Sequence, residues 1–227
     1  MAPYIEYIFP TQIGVELIYS FVIIVCSLMI YYATKEVYEL SSYKGIKYFR
    51  QAFLFFALAF FFRYSIRFLL FLFNLEEVIE FAPRLLGAVT LFILLYSSSI
   101  AVFYLLYSVM WKRWNHSKMK LAILHMSAIL IGLIGLLFRT IQMFLLINLV
   151  LFAFISFILF IAYKDSKNKS KGKNLYIIYL LLFIFWILNI IDILIPRFFQ
   201  VYQIIIYLIS ILIFMTILYK VVKKSGN

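Results

Sequence analysis

The sequence predicts an all-α membrane protein, a single bundle of seven transmembrane helices with its N-terminus outside and its C-terminus in the cytoplasm. Three observations predict it. Of 227 residues, 67% are hydrophobic and only 13% are charged, whereas a soluble domain is about half apolar. The apolar residues gather into seven runs, and a helical crossing needs about 20 of them, because the hydrocarbon slab is about 30 Å thick and a helix rises about 1.5 Å per residue. All fourteen lysines fall in alternate connections between those runs.

The first span, 13–33, is not a cleavable signal peptide. Met1 to Gln12 carries no basic residue, the apolar run is too long, and no small-residue cleavage site follows it. A polar break from Thr34 to Lys44 leads to the second span, 47–72. The third, 83–110, opens at Pro83, where a helix tolerates proline in its first turn. The fourth and fifth, 119–138 and 141–163, are separated only by Arg139-Thr140, with neither glycine nor proline at the turn. Length forces a reversal there, since Lys120 to Lys164 as one helix would measure about 66 Å, twice the membrane. The polar stretch Lys164 to Lys173 leads to the sixth span, 175–194, which stops before Pro196. The seventh covers 199–220.

The lysines, with Arg50 and Arg113, put sixteen basic groups on one face against Glu36, Glu39 and Asp165, a net +13. The opposite face sums to −1. The positive-inside rule makes the basic face cytoplasmic, and the plasma (cytoplasmic) membrane is the expected location. A net charge of +12 in a soluble chain would suggest nucleic acid. Placed on one side of a bilayer, the same charge points instead to anionic membrane lipids, with the basic loops also open to a cytoplasmic protein partner.

Several chemistries are excluded by residue type. The lone Cys26 allows neither an intramolecular disulfide nor a thiolate metal site. Two histidines, His116 in a loop and His125 inside the fourth span, cannot supply paired haem ligands within the membrane. No zinc-protease pair, phosphate-binding glycine loop or serine–histidine–acid set is present, so neither a catalytic residue nor a metal or cofactor is expected.

What the membrane does contain is Arg63 and Arg67, four residues apart and so on one face of the second helix. They lie about 20 and 26 Å along the helix from Arg50, in the outer half of the slab. Glu16, Glu76, Glu77, Glu80, Arg84, Arg139, Asp192 and Arg197 fall at the same depth, with Asn189 just below and Gln142, Asn148, Gln200 and Gln203 nearby. An intramembrane charge is costly and needs a partner. These groups either close on each other as interhelical salt bridges and snorkelling arginines, or line an outward-facing cavity for a small polar or anionic ligand, which arginine recognises in a bidentate manner. Arg63, Arg67, Glu16, Asn189, Asp192, Arg139, Gln142 and Gln203 are the candidate ligand residues. The Tyr96-Ser97-Ser98-Ser99 run and His125 read as packing and interhelical hydrogen bonding, and Trp186 as plain packing, with a pocket wall or gate as the alternative.

From Tyr38 to Tyr107, and above all in Arg50-Gln51-Ala52-Phe53-Leu54-Phe55-Phe56-Ala57-Leu58-Ala59-Phe60, the chain resembles the seven-helix N-terminal input region of archaeal and bacterial sensor histidine kinases. The resemblance implies a receptor-like bundle that signals by shifting helices. With no kinase or other output domain before Asn227, the signal is expected to pass to a separate cytoplasmic partner. The topology also resembles that of the microbial rhodopsins, but the interior of the seventh span, Phe198 to Tyr219, has no lysine, so covalent retinal is excluded. Two other classes remain open. One is a small-solute transporter of two three-helix units joined by a linking helix, as in the PQ-loop families, although the Pro-Gln pair is missing. The other is a structural or assembly subunit of a membrane complex.

Overall fold

The computed structural model describes residues 10–72, 82–114, 118–138, 140–168, 173–195 and 200–225. They form seven helices: α1 (Pro10–Ser41), α2 (Lys44–Leu72), α3 (Ala82–Met110), α4 (Lys118–Phe138), α5 (Ile141–Asn168), α6 (Lys173–Leu194) and α7 (Gln200–Ser225). Each is long and apolar enough to cross a membrane. The all-α seven-helix bundle expected from the sequence is therefore the fold observed.

Helix ends differ from expectation where polar side chains prolong a helix. The expected break at Thr34 is helical, and α1 continues to Ser41. The Thr34 hydroxyl donates to the Ile30 carbonyl at 2.7 Å, so it need not leave the helix to find a partner. One turn on, Lys35 and Glu39 pair across (i, i+4) at 3.8 Å. The helix ends at Ser42, whose left-handed φ of 49° lets its N–H donate back to the Tyr38 carbonyl at 2.8 Å. Likewise α5 runs past 163 to Asn168. The tight reversal between α4 and α5 is explained by Thr140, whose hydroxyl accepts from the Met143 N–H at 3.2 Å and caps α5.

Helices α1, α2, α3, α5, α6 and α7 form a closed ring in which each touches the next and α7 returns to α1, while α4 lies outside it, against α3 and α5. Among the described residues α1 does not reach α3, nor α5 α7. The ring is thus one bundle and not two compact three-helix units. Helix α3 is buried continuously from Ser99 to Ser108. By contrast α4 is buried at Ala128, Gly132 and Gly135, while Met119, Met126 and Leu130 point outward. Those small residues share one face, and a Cβ on Gly132 would stand 2.9 Å from the Phe92 ring. Small residues let two helices approach closely where lipid supplies no hydrophobic drive for association.

The core is a stack of aromatic rings. Phe214 of α7 lies 4.7 Å from Phe185 of α6, and its centroid is 6.4 and 6.5 Å from Phe53 and Phe56 of α2. Tyr19 of α1 stacks on Tyr207 of α7 at 4.5 Å, which closes the ring.

At the lysine-rich end α2 and α3 meet at Gly45. A Cβ there would lie 2.9 Å from both the Ser108 carbonyl oxygen and Trp111 Cδ1. The same Cβ would stand 2.5 Å from Tyr43 Cε1, and the Ser108 oxygen is main chain and cannot swing aside. Gly45→Ala is therefore expected to cost about 3 kcal/mol, the upper end for overpacking, read as a lower midpoint in thermal unfolding of the detergent-solubilised chain.

Candidate intramembrane polar site

Arg63 stands on the inner flank of α2, one turn beyond Phe60. Its guanidinium spans the bundle to α6, where Nη1 donates to Asn189 Oδ1 and Nη2 donates to Asp192 Oδ2, each at 3.1 Å. The side chains of Arg63 and Asp192 are 22% and 9% exposed, so this ion pair is largely shielded from solvent. Asn189 is pre-set for its role: its Nδ2 donates to the Phe185 carbonyl one turn back at 2.9 Å, which turns Oδ1 to the arginine.

Beneath this cluster is a cavity of about 40 Å³, measured to the centre of a water-sized sphere, room for about three waters or a ligand of a few heavy atoms. Helix α2 contributes Phe56, Ala59, Phe60 and Arg63, and α3 contributes Leu94, Leu95 and Ser98. The opposite wall is Phe144, Asn148 and Leu151 from α5, with Phe185, Trp186 and Asn189 from α6. Trp186 is locked in place by its indole N–H, which donates to the Asn148 main-chain carbonyl at 3.1 Å. Asn148 spends Nδ2 on the Phe144 carbonyl at 2.8 Å and so keeps its side-chain oxygen as an acceptor. The cavity thus has an apolar, largely aromatic wall with a few polar groups converging on it.

Of the residues singled out from the sequence, Arg63, Asn189 and Asp192 come together as one cluster. Glu16 on α1 and Gln203 on α7 are half-buried but do not line the cavity. Gln142 is exposed in the first turn of α5, on the far side of that helix from the cavity, and is not part of the site. The expectation for Gln142 was set by depth alone, and depth does not give the direction a side chain takes around the helix. The side chain of Arg67, and Arg139 entirely, lie outside the described residues. Ser98, assigned to packing by its sequence context, lines the cavity, as does Trp186. The phenylalanines at 56, 60, 144 and 185 carried no signal, because phenylalanine is spread through every span.

Two further polar contacts tie α3 to its neighbours. His125 of α4 is held between phenols, with Tyr96 Oη 2.9 Å from Nδ1 and Tyr104 Oη 2.9 Å from Nε2. In the neutral ring one nitrogen donates and the other accepts, so both are satisfied. Intramembrane hydrogen bonds average about 0.6 kcal/mol, so His125→Phe should destabilise by about 1 kcal/mol and His125→Gln by roughly half of that, both by thermal unfolding in detergent. Nearer the lysine-rich end, Ser108 donates to the Leu105 carbonyl at 2.7 Å, so its oxygen accepts from the Tyr179 hydroxyl of α6 at 2.8 Å.

A segment of 139 residues, 59% of the chain, is 34% identical to an uncharacterised protein of Archaeoglobus fulgidus and covers 59% of that protein. The match therefore spans about three fifths of that relative's length. No protein-family model matches the chain, and no solved structure matches it.

Proposed function

We propose that this integral membrane protein is a receptor-like or sensory seven-helix bundle, which binds a small polar ligand in the cavity beneath Arg63 and signals to a separate cytoplasmic partner. The observation that carries the reading is the bond from Arg63 across the bundle to Asn189 and Asp192. It joins α2 to α6 at the rim of the cavity, which both Arg63 and Asn189 line. Because Asp192 already balances Arg63, the ligand best suited to the cavity is neutral and polar rather than a second anion. A ligand that draws on Ser98, Asn148 or Asn189 changes the hold of α2 on α6. The other end of α6 is tied to α3 through Tyr179 and Ser108, so a tilt of α6 is felt at the basic end.

Solution tests follow from the cavity. Small neutral solutes of a few heavy atoms, screened by thermal shift on the purified chain, should include one that raises the unfolding midpoint. Asn148→Leu, which fills the cavity and removes an acceptor, should abolish that rise. If no solute stabilises the chain, or if stabilisation survives Asn148→Leu, the ligand reading is lost.

A second reading, a small-solute transporter, is favoured by one observation. Arg63 stands as far from the start of α2 as Asp192 does from the start of α6, and α1 meets α7 as α5 meets α3. Such pseudo-symmetry is a habit of transporters, whose sites lie between repeats. The single ring, with α1 apart from α3 and α5 apart from α7, argues against two separately moving three-helix units. Flux of the stabilising solute into proteoliposomes decides between the readings, since a receptor gives none.

A further inference from the structure

Among the described residues, Arg50 packs on α1 with no acid beside it. It lies on α2 about 9 Å along the helix from Lys44. Its Nε–H donates to the main-chain carbonyl of Tyr31 on α1 at 3.1 Å. Its guanidinium carbon lies 4.6 Å from the centre of the Tyr31 ring and 5.9 Å from that of Tyr38. A snorkelling arginine stretches toward water. Arg50 is instead folded onto the neighbouring helix, with both Nη groups left over.

Among the described residues no carboxylate takes up those groups. Lys35 pairs with Glu39, Arg63 with Asp192 and Arg113 with Asp165, and none of these pairs involves Arg50. Planar Nη pairs held at fixed angle match the oxygens of a phosphate. The depth matches too. Hydrocarbon fills about 30 Å of a bilayer about 40–45 Å thick, so a residue about two turns inside the lysine-rich end of a span reaches the phosphate and glycerol level, where tyrosines also gather. Exposed Lys44 and Lys47 on the same end favour an anionic occupant.

We propose that Arg50, Tyr31 and Tyr38 form a binding site at the α1–α2 seam for the phosphate of an anionic phospholipid. The occupant is a lipid headgroup because the site opens at bilayer depth and not in a water-filled loop. Bound there, the lipid bridges α1 and α2 at the end where the two helices turn into each other.

The test is lipid titration of the full chain in detergent micelles, read by native mass spectrometry. Phosphatidylglycerol should occupy the first site about tenfold more tightly than phosphatidylcholine, and Arg50→Gln should remove that preference. Arg50→Lys, which keeps the charge and loses the fork, should recover only part of it, and because it preserves the ion it guards against simple misfolding. Lys47→Gln should change the preference less than about twofold, as a single exposed charge does. Equal losses in Arg50→Gln and Lys47→Gln would overturn the site in favour of diffuse attraction. Displacement of the lipid by millimolar inorganic phosphate would assign the site to the free anion and overturn the lipid reading.

Discussion

Arg63→Met is expected to destabilise the bundle by about 3–5 kcal/mol, the range found when one member of a buried ion pair is removed. The substitution keeps the length and apolar stem of the side chain, so little packing is lost. What goes is the pair of donors that meets Asn189 Oδ1 and Asp192 Oδ2. Asp192, 9% exposed, loses this ion pair in a low-dielectric setting. The double variant Arg63→Met, Asp192→Leu removes both charges and should recover most of the loss, since an apolar pair of similar volume often matches a buried ion pair. Equilibrium unfolding in mixed micelles measures both. An additive double variant would mean that the two residues do not depend on one another, and the site as described would be wrong. An equally informative outcome concerns the ligand: a solute that stabilises the wild type through the cavity should lose affinity in Arg63→Met even after stability is restored by Asp192→Leu.

The limits of the sequence follow from the solvent. Along the membrane normal, residues announce their depth: fourteen lysines mark one end, and Arg63, Asn189 and Asp192 share one level, as found. Around a helix they do not. In water an outward face is polar, but in lipid both the outward and inward faces are apolar, so rotation leaves no trace in hydropathy. That is why the sequence offers Gln142 as a candidate and passes over Asn148, another amide of α5, although only Asn148 reaches the cavity. The same blindness hid α4's place outside the ring. Its buried Ala128, Gly132 and Gly135 are a face of small residues that only gains meaning once α3 is known to lie against it. The turn at Thr140 was different, because length alone demands it, while the threonine cap shows only in the structure.

Phe214→Ala carries the second large effect and tests the same solvent argument. Phe214 is fully buried and touches Phe53, Phe56 and Phe185, so it fastens α7 to α2 and α6 directly below the Arg63 cavity. In a water-soluble core a Phe→Ala change costs about 3–5 kcal/mol, of which part is the transfer of the ring out of water and part is the cavity left behind. Here the transfer part vanishes, because a ring freed from the core meets lipid of the same polarity. The cavity part remains. At about 24 cal/mol per Å³, a void on the order of 100 Å³ costs about 2 kcal/mol. The expected loss in detergent or bilayer unfolding is therefore about 2 kcal/mol, less than in a soluble core. Because such a void is lined by aromatic carbon, it should stay dry and take up benzene, which should restore part of the lost stability. A loss near 4 kcal/mol, or a void that benzene does not fill, would mean that water reaches Phe214 from the cavity above, and that the aromatic stack does not seal the polar site from the lysine-rich end.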